Sequence, residues 1–186
     1  CLVLLLIGVL CVTANLGANR AILSRQGRAV GLSRDHTPQD TQELARMVAA
    51  AEGTLDESIL RGLGVSRAFG RIEFKLLSSG TQRLKSSVIT SLPEVRDLHL
   101  DFRSDEFILL GSDGLFEHLG SKEAVAFVRD KLLAMPVAAQ DVQKVAEDLV
   151  NHAFSLQPEG KGSHVSAVIT ALTRGVVQQA HPPSPK

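Results

Sequence analysis

Antiparallel β-sheets layered into a sandwich, with helices set apart from them, are what this sequence predicts: an α+β fold. Three observations lead there. The first 33 residues alternate short apolar runs with glycine-bearing turns, the pattern of antiparallel hairpins. The candidate elements then follow as strands, helix, strands, two helices and strand, without repeated strand–helix–strand units. Finally, Phe107-Ile-Leu-Leu110 is an unbroken apolar run of strand length. It halts at Gly111-Ser-Asp-Gly114, and a helical pattern begins near Ser121.

Size and composition fit one domain with a substantial core. The chain has 186 residues, 44% apolar and 22% charged, ordinary values for a globular protein. Twenty basic residues balance twenty acidic ones, so no overall field draws it to nucleic acid or an anionic membrane. Phenylalanine is the only aromatic type, which argues against base-stacking platforms. Cys1 and Cys11 are too few for a disulfide framework and fit a reducing, intracellular compartment, cytoplasmic or nuclear. The chain opens on Cys1 at full hydrophobic strength, and is read as the later part of a longer protein.

Residues 1–12 are strongly apolar. A signal-peptide reading lacks a basic lead-in, since the first positive charge is Arg20. The run is also shorter than the roughly 20 residues that span a bilayer. Two buried strands, 2–6 and 9–14, with a turn at Ile7-Gly8, are expected instead; a membrane-anchored module is the remaining alternative. Turns at Gly17-Ala18-Asn19 and Gln26-Gly27 set off strands 20–24 and 28–32, completing a meander. Thr37 is the expected N-cap of a helix, with Pro38 at its first position and Leu44, Met47, Val48 and Ala51 on one face. Residues 59–69 read as a strand entering an irregular turn at Gly70, 78–87 as a polar loop, 88–90 as a short strand and 95–100 as a mixed apolar segment. Two helices follow, one burying Val125, Val128, Leu132 and Leu133, the other Val142, Val145, Ala146, Leu149 and Val150. A loop at 157–163 precedes a last strand, 165–172. The domain is placed at 1–175, and 176–186 is expected to be a disordered tail.

Six segments, in order, resemble the metal-dependent protein Ser/Thr phosphatases of the 2C class (PPM type). Val12-Thr-Ala-Asn-Leu-Gly-Ala-Asn-Arg-Ala-Ile-Leu23 is similar to that family's VANVGDSRAVL, and Ala29-Val-Gly-Leu-Ser-Arg-Asp-His-Thr-Pro38 to AVPLSRDHKP. Leu63-Gly-Val-Ser-Arg-Ala-Phe-Gly70 resembles LAVSRALGD, and Leu92-Pro-Glu-Val95 resembles EPEV. The stretch Phe107 to Leu119 resembles FLILASDGLWDVL, and Gly162 to Ile169 stands where the family has SRDNVTVIVV. The resemblance implies a four-layer αββα sandwich, of which an N-terminal part is missing here. It also implies hydrolysis of protein phosphoserine and phosphothreonine by two Mg²⁺ or Mn²⁺ ions sharing a water. Such hard ions take oxygen ligands, mainly carboxylates.

Against that pattern the expected site is degenerate. The implied ligands are an N-terminal DGHGG, the SDG aspartate and the DN aspartate. Asp113 is the remnant SDG ligand, with Gly114 beside it; DGHGG is absent from the chain. The DN positions fall on Ser163 and His164, and no Asp lies between Glu159 and Lys186. The family's GDSRA aspartate is Ala18, and the ALGD aspartate is Arg71. No catalytic residue is assigned. Arg20 and Arg67 are expected to brace the hairpins, and His36 and His118 to be surface or packing residues. Gly160-Lys-Gly162 lacks the rest of a nucleotide loop. The expectation is a pseudophosphatase, a binding or regulatory module for a phosphoprotein or signalling partner, holding Mg²⁺ or Mn²⁺ weakly or not at all. The alternative is an active phosphatase whose metal motif lies upstream of this chain.

Overall fold

A computed structural model describes residues 1–53, 56–72, 87–136, 139–158 and 162–172. Two antiparallel sheets stack face to face. The smaller has order β1-β2-β5, from Leu2–Ile7, Leu10–Asn15 and Glu94–His99. The larger has order β4-β3-β6-β7, from Arg28–Gly31, Arg20–Arg25, Asp105–Gly111 and Ala167–Ala171. The predicted turns recur: Gly8 has φ 59° in the β1–β2 turn, and Gln26 and Gly27 have φ 51° and 75° between β3 and β4. Paired positive φ is the geometry whose twist matches flanking strands.

The first strands do not form one meander. β1–β2 and β3–β4 are separate hairpins, and the chain changes sheets at residues 16–19. Local periodicity cannot distinguish a turn within a sheet from a corner between two. Between the sheets lies one core, where Leu2, Leu4 and Cys11 meet Leu23, Ile108 and Leu110.

A second core joins the larger sheet to two helices, α4 (Ser121–Leu133) and α5 (Val142–Ser155). Val125, Val128 and Leu132 of α4, and Val145, Leu149 and Ala153 of α5, pack on Ile22, Phe107 and Leu109. Asp141 caps α5, accepting the Lys144 N–H. Between β6 and α4 sits a single turn, α3 (Asp113–Phe116), which sequence periodicity is too short to show.

Four expected elements change. The helix α1 spans Thr41–Ala51, and its cap is Asp40, whose carboxylate accepts the N–H groups of Gln42 and Glu43. Thr37 instead closes a turn, its carbonyl accepting the Asp40 N–H. The expected strand at 59–69 begins as a short helix, α2 (Glu57–Arg61), capped by Asp56. It packs Leu60 with Met47, Ala50 and Val88 in a third, smaller core. Residues 88–90 form no strand, only an isolated bridge from Thr90 to Arg67. β1 is not a buried strand: Val3, Leu5 and Ile7 are 53%, 52% and 59% exposed on the outer face of the smaller sheet. Among the described residues no helix covers that face. Most of the 78–87 loop, part of the 157–163 loop and the expected tail lie outside the described residues. No helix among the described residues is long and apolar enough to cross a membrane.

Candidate active-site cleft

Asp113 stands where the sequence places it, two residues past the end of β6, as the first residue of α3. Its side chain is exposed and its Oδ1 accepts the Gly114 N–H at 2.9 Å. Gly114 is buried because the 162–166 segment crosses directly over it. A Cβ there would collide with the His164 carbonyl oxygen and lie 3.0 Å from the Ser163 Cβ. That crossing is fixed by Ser112, whose hydroxyl donates to the His164 carbonyl and accepts the Ser166 N–H.

Asp113 and Ala18 line one cavity of about 230 Å³, together with Gly17, Val65, Arg67 and Phe69. One wall is the corner between β2 and β3, the other the loop after α2. Ser163 is not among the residues lining that cavity; its hydroxyl donates to Glu117 Oε2 at 2.7 Å. Glu117 went unassigned in the sequence, although it occupies the second acid of FLILASDGLWDVL. The contact with Ser163 is what reveals its place. Arg71 does not line the cavity; its guanidinium donates to the Leu63 carbonyl, and its backbone takes φ 50° beside Gly70 at 69°.

Of the two arginines expected to brace the hairpins, Arg20 ties the start of β3 to Asp35, whereas Arg67 fastens to helix α1 instead. Arg20 forms a double hydrogen bond with Asp35, at 2.6 and 3.1 Å, and donates to the Ser121 hydroxyl at 2.9 Å. Its guanidinium carbon also stands 4.6 Å from the centre of the Phe116 ring. Arg67 grips Glu43 of α1 and donates to the Leu92 carbonyl. Glu43 is buried, and burial alone would raise its pKa. Hydrogen bonds from Arg67 and Ser66 and the charges of Arg46 and Arg67 outweigh that cost and hold it at about 2. Of the two histidines expected at the surface or in the packing, His118 is exposed and His36 is wholly buried.

Among the described residues there is no group of three or more His, Cys, Asp or Glu side chains placed to hold a metal. Ser163 spends its proton on Glu117, and Ala18 brings no donor to the cavity. Two divalent ions would bring four positive charges, and among the described residues Asp113 is the acidic side chain that lines the cavity with Ala18.

The sequence profile of the family "Protein phosphatase 2C" matches residues 2–161. The chain belongs to the protein phosphatase 2C family, whose members are metal-dependent phosphatases. It is 41% identical over 121 residues to "Protein phosphatase ppm-1.G" of Caenorhabditis elegans, covering 65% of this chain and 24% of that one. It is 33% identical over 149 residues to "Probable protein phosphatase 2C 6" of Paramecium tetraurelia, covering 80% and 48%. Among solved structures, "Structure of a C.elegans sex determining protein" superposes with a TM-score of 0.70 at 22% identity, over 90% of this chain and 38% of that one. "Crystal structure of a phosphatase from a pathogenic strain Toxoplasma gondii" gives 0.64 at 24%, over 88% and 52%. These two likenesses establish the α+β sandwich with flanking helices. The chain spans less than half the length of these two curated relatives.

Proposed function

We propose that this chain is a phosphatase 2C-like domain that serves as a binding or regulatory module and does not hydrolyse phosphoesters by itself. One observation carries the reading: at the ligand positions the resemblance implies, Asp113 keeps its carboxylate while Ser163 and Ala18 do not. Every change removes negative charge, and Arg71 adds positive charge. The packing positions of the same motifs are intact, with Arg20 on Asp35 and Arg67 on Glu43. A scaffold kept in register around a neutralised cleft suits a partner that reads its surface. That partner is a phosphoprotein or signalling protein, met in the cytoplasm or nucleus.

The length of the curated relatives favours a second reading. They are named as phosphatases, and the matched part is 24% to 48% of their own length. A carboxylate-rich segment outside the matched span would restore part of a Mg²⁺ or Mn²⁺ site around Asp113, giving an active serine/threonine phosphatase.

Calorimetric titration of the 186-residue chain with Mn²⁺, paired with p-nitrophenyl phosphate hydrolysis, tests the first reading. Neither two-ion binding nor metal-dependent turnover is expected. Robust Mn²⁺-dependent turnover, abolished by Asp113→Asn, would overturn it.

A further inference from the structure

His36 is fully buried, yet it belongs to none of the three apolar cores. Its hydrogen-bond partners come from both walls of the cleft. The Gly17 N–H donates to His36 Nδ1 at 3.3 Å, and the His36 N–H donates back to the Gly17 carbonyl at 3.0 Å. On the other side, the His36 carbonyl accepts the Ser66 N–H at 2.9 Å. Gly17 precedes Ala18 in one wall, and Ser66 precedes Arg67 in the other; both walls line the cavity with Asp113. The walls also run close together: a Cβ added to Gly17 would sit 3.6 Å from the Arg67 carbonyl oxygen.

From these contacts we infer that His36 is a positioning residue, a latch that holds the Gly17–Ala18 corner against the Ser66–Arg67 loop and so sets the shape of the cleft around Asp113. The latch needs one particular form of the ring. An acceptor at Nδ1 means that the neutral imidazole carries its proton on Nε2. Nε2 points to Glu94 Oε2 on β5, 3.6 Å away. The other charges near the ring are Arg67 and, from α1, Glu43. Burial, then Arg67, holds the His36 pKa below its ordinary value, which keeps Nδ1 free to accept. Asn15 secures the same corner from the strand side, its amide donating to the carbonyls of Gly17, Asn19 and Arg34. Among the described residues the corner is thus held at the Gly17 and Asn19 carbonyls by Asn15, at the Gly17 carbonyl also by the His36 N–H, and at the Gly17 N–H by His36 Nδ1. This inference concerns the form of the cleft and holds whether the cleft binds or hydrolyses.

Three substitutions separate a latch from a space-filling ring. In His36→Asn the side-chain oxygen takes the place of Nδ1. In His36→Gln it reaches the place of Nε2 instead, and His36→Phe keeps the ring without an acceptor. Amide exchange of Gly17 is expected to quicken about tenfold or more in the Phe and Gln variants, the loss of one buried hydrogen bond. In the Asn variant it stays close to wild type. Equal Gly17 protection in all three variants would overturn the latch. If the Phe and Gln variants fail to fold, the wild-type chain decides alone through ¹⁵N shifts of the His36 ring. Unprotonated Nδ1 with protonated Nε2 upholds the proposal, and a proton on Nδ1 overturns it.

Discussion

Arg67 closes on Glu43 as a fork on a carboxylate, with Nη2 2.6 Å from Oε1 and Nε 3.1 Å from Oε2. Glu43 is on α1 and Arg67 on the cavity wall, so this pair fastens the helix to the cleft. Around it, Arg46 donates to Glu43 and to the carbonyls of Ser66, Ser87 and Val88, and the Ser66 hydroxyl donates to Glu43. A carboxylate at 4% exposure is tolerated because four donor groups meet it.

Removing one partner should therefore cost more than the pair contributes. Arg67→Met leaves Glu43 buried against Arg46 and Ser66, and a loss of about 2–4 kcal/mol is expected. Arg67→Lys should recover only part of it, because an ammonium cannot supply two parallel donors. Urea midpoints of the three chains measure both effects. A wild-type midpoint in Arg67→Met would show the fork to be dispensable.

Stability should fall with acid in two stages. His36 is held neutral in the fold, with a pKa below the ordinary 6.5. The unfolded chain therefore binds more protons as pH drops past 6.5, and stability complete above that pH declines below it. Glu43 shifts the same way, from 4.5 to about 2, so its contribution is whole above 4.5 and is lost as pH falls towards 2. The Glu43 stage is on the order of 3 kcal/mol. Thermal unfolding followed from about pH 8 to about pH 3 should show both stages. His36→Asn should erase the upper one and Glu43→Gln the lower. An upper stage persisting in His36→Asn would assign it elsewhere.

Much of this was legible because local chemistry governed it. The Gly8 and Gln26-Gly27 turns announce their hairpins, and the spacing of Val145 and Leu149 announces α5. Asp113 was legible because a strand, a glycine and a helix pattern bracket it. The errors occur where one signal serves two geometries. Thr37-Pro38 reads as a helix start, but the same residues close a turn, and Asp40 takes the cap. The glycines and serines from Ile59 to Phe69 hide a short helix whose buried contact is the single residue Leu60. His36 carries no periodicity, and its role exists only because Gly17 and Ser66, far apart in sequence, meet at it. Glu117 was legible by its place beside Asp113, but only the crossing segment at Ser163 brings it into the site.

Gly114 should be intolerant of even one added carbon. Its φ is not in the left-handed region, so the constraint comes from the His164 carbonyl and Ser163 above it. Gly114→Ala must push the 162–166 segment away, at a cost of about 1–3 kcal/mol. The Ser163–Glu117 and Ser112–His164 hydrogen bonds should loosen with it. Exchange protection of the Ser166 amide, which donates to Ser112, reports the movement. Unchanged protection and an unchanged midpoint would mean that the crossing yields without cost.

Among the described residues no strand pairs with the outer edge of β1, and that edge should drive association between copies. Cys1 and Leu16 exchange two backbone hydrogen bonds, at 2.7 and 2.8 Å. Antiparallel alternation then turns the N–H and C=O groups of Val3, Leu5 and Ile7 to β2, and those of Leu2, Leu4 and Leu6 to the open edge. Residues 2–7 contain no charge and no proline, the devices that usually protect an edge. The apolar outer face continues onto Val95 of β5, 62% exposed. Sedimentation of the chain alone should show mass rising with concentration. Leu5→Lys sets a charge on the outer face, where the side chain is 52% exposed. It should restore the monomer and change folding stability by about 0.5 kcal/mol or less. A wild-type monomer independent of concentration would show that the edge, though bare, recruits nothing.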